Sequence, residues 1–487
     1  MNPPCTKHDT TLVQPWLQDL KAGYSKNITS HPNSFLHNPS ASLITTSTLH
    51  SLTLGTGASI YASLLPLLES ANDKVILVTC FWAASASQNL LNKALKSLSA
   101  KAISKGGNKI RVRLCFSSSS ILQKLLHPQT TRGKIHPPDS WKSVFHLPEP
   151  SELKGLDLVV KSIFLLPFSV MHPKFIIVDS KVAVLPSCNV SWEDWFEGAV
   201  TLTGPVVSCF VDFWREFWSQ AEDTDDFVSL DTDSTLPLTV VEQQQQQQQQ
   251  QQERYPGQLP LHTPLESKNI PTVFLPSPHN RNPQFRFPWQ ECALPPPTPL
   301  NTFILRCLGS AQKDIYIQTP NLTAPPVLSA ILATLKRGVN VHVITSERLM
   351  ILEQLVTAGT TTGRCVNTLV KRYHRLRLLH SSSVEQEDLE AGVRLAPGVL
   401  RIDFFTPTQA RQGGGQGVGE MDAEPQQSHI KCLIVDGDLV VLGSGNLDRA
   451  SWFTSQELGV AFLDAAFARK LRGDLQETLR GRVKSVL

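Results

Sequence analysis

Two stretches of this 487-residue chain repeat one set of side chains at one spacing. The first holds His172, Lys174 and Asp179, followed by Ser187 and Asn189; the second holds His429, Lys431 and Asp436, followed by Ser444 and Asn446. A single His-x-Lys-x-x-x-x-Asp is weak, with about 0.1 chance matches expected in a chain of this composition. Two copies, each with Ser-x-Asn beginning eight residues after the aspartate, are not a chance pattern. Histidine is both a nucleophile and a proton carrier near neutral pH. Lysine, serine and asparagine are donors suited to the nonbridging oxygens of a phosphate, where transition-state charge must be held. Two such histidines on opposite sides of one phosphorus would permit in-line displacement, with one attacking and the other protonating the leaving oxygen. No carboxylate cluster able to hold a metal accompanies them, so neither a metal nor another cofactor is expected.

Each set must be held by a hairpin. Asp436-Gly437 lies between apolar runs as a two-residue turn, and Asp179-Ser180 occupies the equivalent place. With turns of that length His172 would face Ser187, and His429 would face Ser444. Lys174 and Lys431 would share a strand face with their histidines. Seven residues separate each aspartate from its histidine, about 23 Å at ~3.3 Å per residue, so Asp179 and Asp436 are expected to be turn residues away from the chemistry.

The elements around the motifs repeat as well. Helix-like Ser59 to Leu68, strand-like Lys74 to Phe81, helix-like Gln88 to Ala102 and strand-like Lys109 to Phe116 and Leu158 to Leu166 precede His172. A matching order, Thr302–Ala311, Asp314–Gln318, Val327–Arg337, Val339–Ile344 and Leu400–Phe405, precedes His429. Alternation of this kind predicts an α/β sandwich in each half. The expected division is a polar N-terminal arm (1–45), a first half (46–221), a disordered linker (222–298) and a second half (299–487) with a flexible insertion at 412–427. The linker reading rests on acidic Glu222 to Asp226, the glutamine run 243–252 and Pro295 to Pro297, a composition poor in core-forming residues.

These residues resemble the phospholipase D superfamily, whose members carry paired motifs of this kind and form a phosphohistidine. The second motif, Gly443 to Asp448 followed by Ser451 and Glu457, is similar to the cardiolipin-synthase-like branch, with Ser455 where asparagine is common. The first departs more, with Pro186 where glycine is usual. The resemblance implies two tandem phospholipase D-like α-β-α sandwich repeats packed into one pseudo-symmetric unit. It also implies a metal-independent phosphodiesterase or phosphatidyltransferase acting on phospholipids. His172 would be the nucleophile, His429 the acid and then the base, and Glu197 and Glu457 the residues that orient a histidine. A nuclease-type phosphodiesterase and a noncatalytic lipid-binding descendant are the alternatives.

Composition bears on the substrate. Forty-five Lys and Arg against 42 Asp and Glu give a net charge of +3, which does not favour nucleic acid. Nine cysteines without a C-x-x-C pair read as buried thiols of a reducing compartment. The start lacks a signal-peptide pattern, and no apolar run approaches the ~20 residues of a spanning helix. The expectation is therefore an intracellular monomer, soluble or in peripheral membrane contact. Trp192, Trp195, Phe196, Phe213, Trp214, Phe217 and Trp218 suit a lipid cleft or a core, with helical spacing favouring core for the last four. Lys371, Arg372, His374, Arg375 and Arg377 suit a solvated helix face or an anionic partner.

Overall fold

The computed structural model describes residues 9–25, 42–120, 123–124, 127–128, 130–165, 169–219, 257–278, 294–386, 396–410 and 423–487. The glutamine run, the acidic stretch at 222–226 and Gly413 to Gly415 lie outside them. Helix α1 (Gln14–Ser25) comes first. The first half follows as β1 (Ile44–Gly55), α2 (Gly57–Ser70), β2 (Lys74–Phe81), α3 (Ala86–Lys105), β3 (Ile110–Ser118), β4 (Leu156–Ser162), β5 (Phe175–Val178), β6 (Val182–Pro186), β7 (Trp195–Thr203) and α4 (Val206–Phe217). The second half runs β8 (Ile270–Ser277), α5 (Pro299–Ser310), β9 (Asp314–Thr319), α6 (Pro325–Lys336), β10 (Asn340–Thr345), α7 (Ile351–Ala358), α8 (Thr362–Gln386), β11 (Leu400–Phe405), β12 (Cys432–Val435), β13 (Leu439–Gly443), β14 (Glu457–Phe462) and α9 (Ala465–Thr478).

The same pairings recur in both halves. Strands β2, β3 and β4 are parallel neighbours, as are β9, β10 and β11. On the other side β2 takes β5 antiparallel and β9 takes β12. The meander then continues through β6 to β7 and through β13 to β14. The motif strands β5 (Phe-Ile-Ile-Val) and β12 (Cys-Leu-Ile-Val) are buried at every position, so they read as continuous apolar runs instead of alternating ones. Helices α2, α3 and α5 start at side-chain caps that accept the orphan amides of the first turn. Ser85 receives Gln88 N, Thr56 receives Ser59 N and Thr298 receives Asn301 N.

The halves are joined through β1, which pairs with β7 and, from Ile44 to Ser47, antiparallel with β8. One apolar cluster runs through both halves, with Phe196 and Phe210 of the first and Phe274 and Phe303 of the second fully buried in it.

Three expectations are corrected. The region 1–45 is not only a polar arm, because Leu12, Val13, Trp16, Leu17 and Leu20 fall at helical spacing and are buried. Trp16 donates its indole N–H to Thr302 Oγ1 at 2.9 Å, so this helix docks on the second half. The region 222–298 is not linker throughout. Leu261–Pro264 and Ile270–Ser277 are strands, the latter between β1 and β14. Its apolar Val273, Phe274 and Leu275 are buried, while Pro271 and Pro276 had disguised the strand. Finally, the hairpin register is one residue off, since Val178 pairs with Val182 and Val435 with Leu439, leaving three residues in each turn.

Candidate active site

Each motif begins just before its strand, at the end of the sheet where β2 and β9 finish. Both motif aspartates sit in the turns. Asp179 accepts the backbone N–H groups of Asn72, Asp73 and Lys74, and Asp436 accepts those of Gln312, Lys313 and Asp314. Asp179, Ser180, Asp436 and Gly437 all have positive φ, between 51° and 73°, as a tight reversal requires.

The histidines are held by the opposite halves. His172 Nδ1 donates to Glu457 Oε2 at 2.9 Å, and His429 Nδ1 donates to Glu197 Oε1 at 2.7 Å. The main chain repeats this exchange: His172 N donates to Gln456 O at 3.0 Å and His429 N to Phe196 O at 2.9 Å. Each histidine is therefore fixed, ring and backbone, by the residue pair that opens the last strand of the other half. Because a carboxylate only accepts, Nδ1 carries the proton and Nε2 presents its lone pair outward.

The lysines are buried beneath this arrangement. Lys174 Nζ donates to His172 O at 2.9 Å, and Lys431 Nζ to His429 O at 2.6 Å. Burial lowers the pKa of His172, and Lys174 and Lys431 act in the same direction against the pull of Glu457. Burial takes His429 down to about 3, opposed by Glu197 and reinforced by Lys431 and Lys174. Each histidine thus feels the lysine of the other half, as members of one site must. Burial also lowers Lys431 to about 7. Burial would raise Glu197 and Glu457, but the adjoining histidine, serine and lysine outweigh it, and both lie below the usual range. The resting state is two carboxylates and two neutral imidazoles.

Ser187 and Ser444, expected on the phosphate, are engaged elsewhere. Ser187 Oγ donates to Glu197 and accepts Gly198 N at 2.9 Å; Ser444 Oγ donates to Glu457 and accepts Leu458 N at 3.1 Å. They orient the glutamates, which open the strands paired with β6 and β13. Asn446 donates from Nδ2 to Asp448 Oδ2 at 3.0 Å, and Oδ1 of both Asn189 and Asn446 is a buried acceptor without a partner among the described residues. Pro186 does not distort the first motif, since Ser187 N reaches Gly198 O at 2.8 Å much as Ser444 N reaches Leu458 O at 2.9 Å.

Two contacts escaped the sequence reading. The Trp195 ring packs against His429, with centroids 4.5 Å apart. Behind His429, Ser428 is tied to Gln318 (Nε2 to Oγ, 2.8 Å) and to Ser346. Gln427 and Ser428 pair with Trp195 and Phe196, so the insertion placed at 412–427 ends in a strand. Polar residues scattered through an apolar pattern give no local signal of such ties. Of the aromatic cluster, Phe196, Phe213, Trp214 and Trp218 are core, while Trp192 and Trp195 are partly exposed beside the site.

A family model described as "Cardiolipin synthase, PLD-like domain" matches residues 304–479, which contain the whole second motif. Over that span the second half is similar to phospholipase D-like domains. The chain's fold resembles that of phosphatidylserine synthase from Haemophilus influenzae Rd KW20, with TM-score 0.50, 14% identity, and 91% of this chain and 89% of the other covered. Two smaller solved structures align with part of the chain. These are the phospholipase D family member Nuc from Salmonella typhimurium (TM-score 0.25, 17% identity, 38% and 90% covered) and NucT from Helicobacter pylori (0.23, 15%, 38% and 89%). No match was found among curated protein sequences.

Proposed function

We propose that the protein cleaves or transfers phospholipid phosphodiesters through a phosphohistidine, without a metal ion. The observation that carries this reading is the crossed pair of His–Glu contacts, which turns two motifs into one bilateral site. His172 Nε2 attacks phosphorus and the P–O bond to the leaving alcohol breaks in line. His429, protonated once the anionic substrate is bound, gives its proton to the departing oxygen. In the second step His429 Nε2 takes a proton from water or an acceptor alcohol, whose oxygen displaces His172. Lys174 and Lys431 hold the nonbridging charge, a role that a buried ammonium fills at high electrostatic yield. His172 is assigned as nucleophile from the family resemblance, and its side chain is the more open of the two, 15% exposed against 3% for His429. The synthase names of the similar proteins favour a phospholipid and an alcohol acceptor.

Mass spectrometry after reaction with a phosphodiester bearing a good leaving group tests the mechanism. His429→Asn should retain phosphorus on the protein, and His172→Asn should show none. An adduct on His429 in the His172→Asn variant would reverse the roles. Parallel assays on phosphatidylglycerol, phosphatidylcholine and single-stranded DNA test the substrate class; turnover of DNA alone would overturn the lipid reading.

A further inference from the structure

Helix α7 is built inside out. Its one buried residue is a glutamine, Gln354, while Ile351, Leu352, Leu355 and Val356 are exposed, Leu352 at 80% and Val356 at 62%. Positions i, i+1, i+4 and i+5 form one face, extended by exposed Met350. The polar side is firmly anchored: Gln354 Oε1 accepts Thr362 N at 2.6 Å and Thr362 Oγ1 at 2.9 Å, and Gln354 Nε2 donates to Leu349 O at 2.5 Å. A contiguous apolar face that a rigid anchor keeps pointing outward marks an interaction surface, unlike scattered exposed leucines.

The anchor leads to the candidate site. Thr362 Oγ1 accepts Leu322 N at 3.1 Å; Leu322 bridges Leu447, next to Asn446; and Leu447 N donates to Thr319 Oγ1 at 3.1 Å. Charge indicates what the face meets. The flanking chain carries exposed Arg348, Arg364, Lys371, Arg372, Arg375 and Arg377 against exposed Glu347 and Glu353. Apolar residues flanked by a cationic excess suit the interface of a bilayer that contains anionic lipid. We infer that α7, with the basic stretch of α8, docks the protein on an anionic membrane surface and so presents the site beside Asn446 to lipid headgroups. This rests on the phospholipid reading above and names the surface through which it would operate.

The test uses the full chain and phosphatidylcholine vesicles with and without phosphatidylglycerol, comparing wild type with Leu352→Glu/Val356→Glu. Both positions are exposed, so the fold and the site should be unaffected, as turnover of soluble bis(p-nitrophenyl) phosphate will check. Wild type should pellet with phosphatidylglycerol vesicles, less with phosphatidylcholine alone, and the double variant should partition at least about tenfold less. Absence of wild-type binding, or equal binding by the variant, would overturn the inference. So would sedimentation velocity showing a dimer that the variant dissociates, since the face would then meet a second copy. Vesicle binding without lipid turnover would uphold the docking surface while removing the phospholipid as substrate; turnover of the soluble diester without vesicle binding would overturn the docking surface while leaving the phosphodiesterase chemistry standing.

Discussion

At the residue scale the decisive feature is which glutamate serves which histidine. In sequence Glu197 follows the His172 motif and Glu457 follows the His429 motif, so same-half service is the simplest assumption. The hydrogen bonds are crossed instead. The consequence is specific. Glu457→Gln removes the carboxylate from His172 and should slow formation of the phosphoprotein by roughly 10²-fold, the scale of a lost acid–base partner. Glu197→Gln acts on His429 and should slow breakdown, so the adduct accumulates as it does in His429→Asn. Rapid-quench measurement of the two phases decides, and the opposite assignment of phases would mean that the contacts are not crossed in solution. Lys431 makes a second forecast. With its pKa lowered to about 7 by burial, it loses its proton as pH rises through neutrality, so kcat/KM should fall on that alkaline side. Lys431→Arg keeps its charge throughout, and the same limb should move up by more than a unit even if the rate at the optimum drops. An unshifted limb would assign that titration to another group.

At the scale of elements, the sequence showed what is periodic and what is repeated. Strand Lys74–Phe81 was delimited to the residue, and the helix read as ending at Arg337 ends at Lys336, just before Gly338 at positive φ. Both motifs, their lysines and their turn aspartates were legible because the strands on either side are apolar and the turns carry Asp-Ser and Asp-Gly. What stayed hidden has identifiable causes. Strand β8 carries prolines at 271 and 276, which argue against a central strand, yet it lies between β1 and β14. The turns hold three residues between paired positions, and a one-residue difference changes which side chains face each other. Ser187 and Ser444 meet glutamates across the next strand pairs, β6 with β7 and β13 with β14. Crossing could not be read at all, since spacing along one chain says nothing of which strand end abuts which.

At the scale of the whole molecule, the two halves are interdependent in a way that two fused domains need not be. Strand β1 completes the sheet of the second half at Ile44–Ser47, helix α1 covers α5 through Trp16 and Thr302, and each half lends a glutamate to the other. Either half alone would expose part of the shared apolar cluster and leave its histidine without a carboxylate, which costs activity as well as stability. The chain can be divided at one informative place, within 220–256, after α4 and before the strand at Leu261. The expected outcome is that the fragment ending near residue 235 and the fragment beginning near residue 245 are each inactive and prone to aggregate. Co-expressed, they should associate and recover phosphodiesterase activity. A copy carrying Glu197→Gln in the first fragment should then show the slow breakdown of the His429 phase, although His429 lies in the second. Activity from either fragment alone, or a failure of the Glu197→Gln fragment to transmit its defect, would show that each half keeps a complete site of its own.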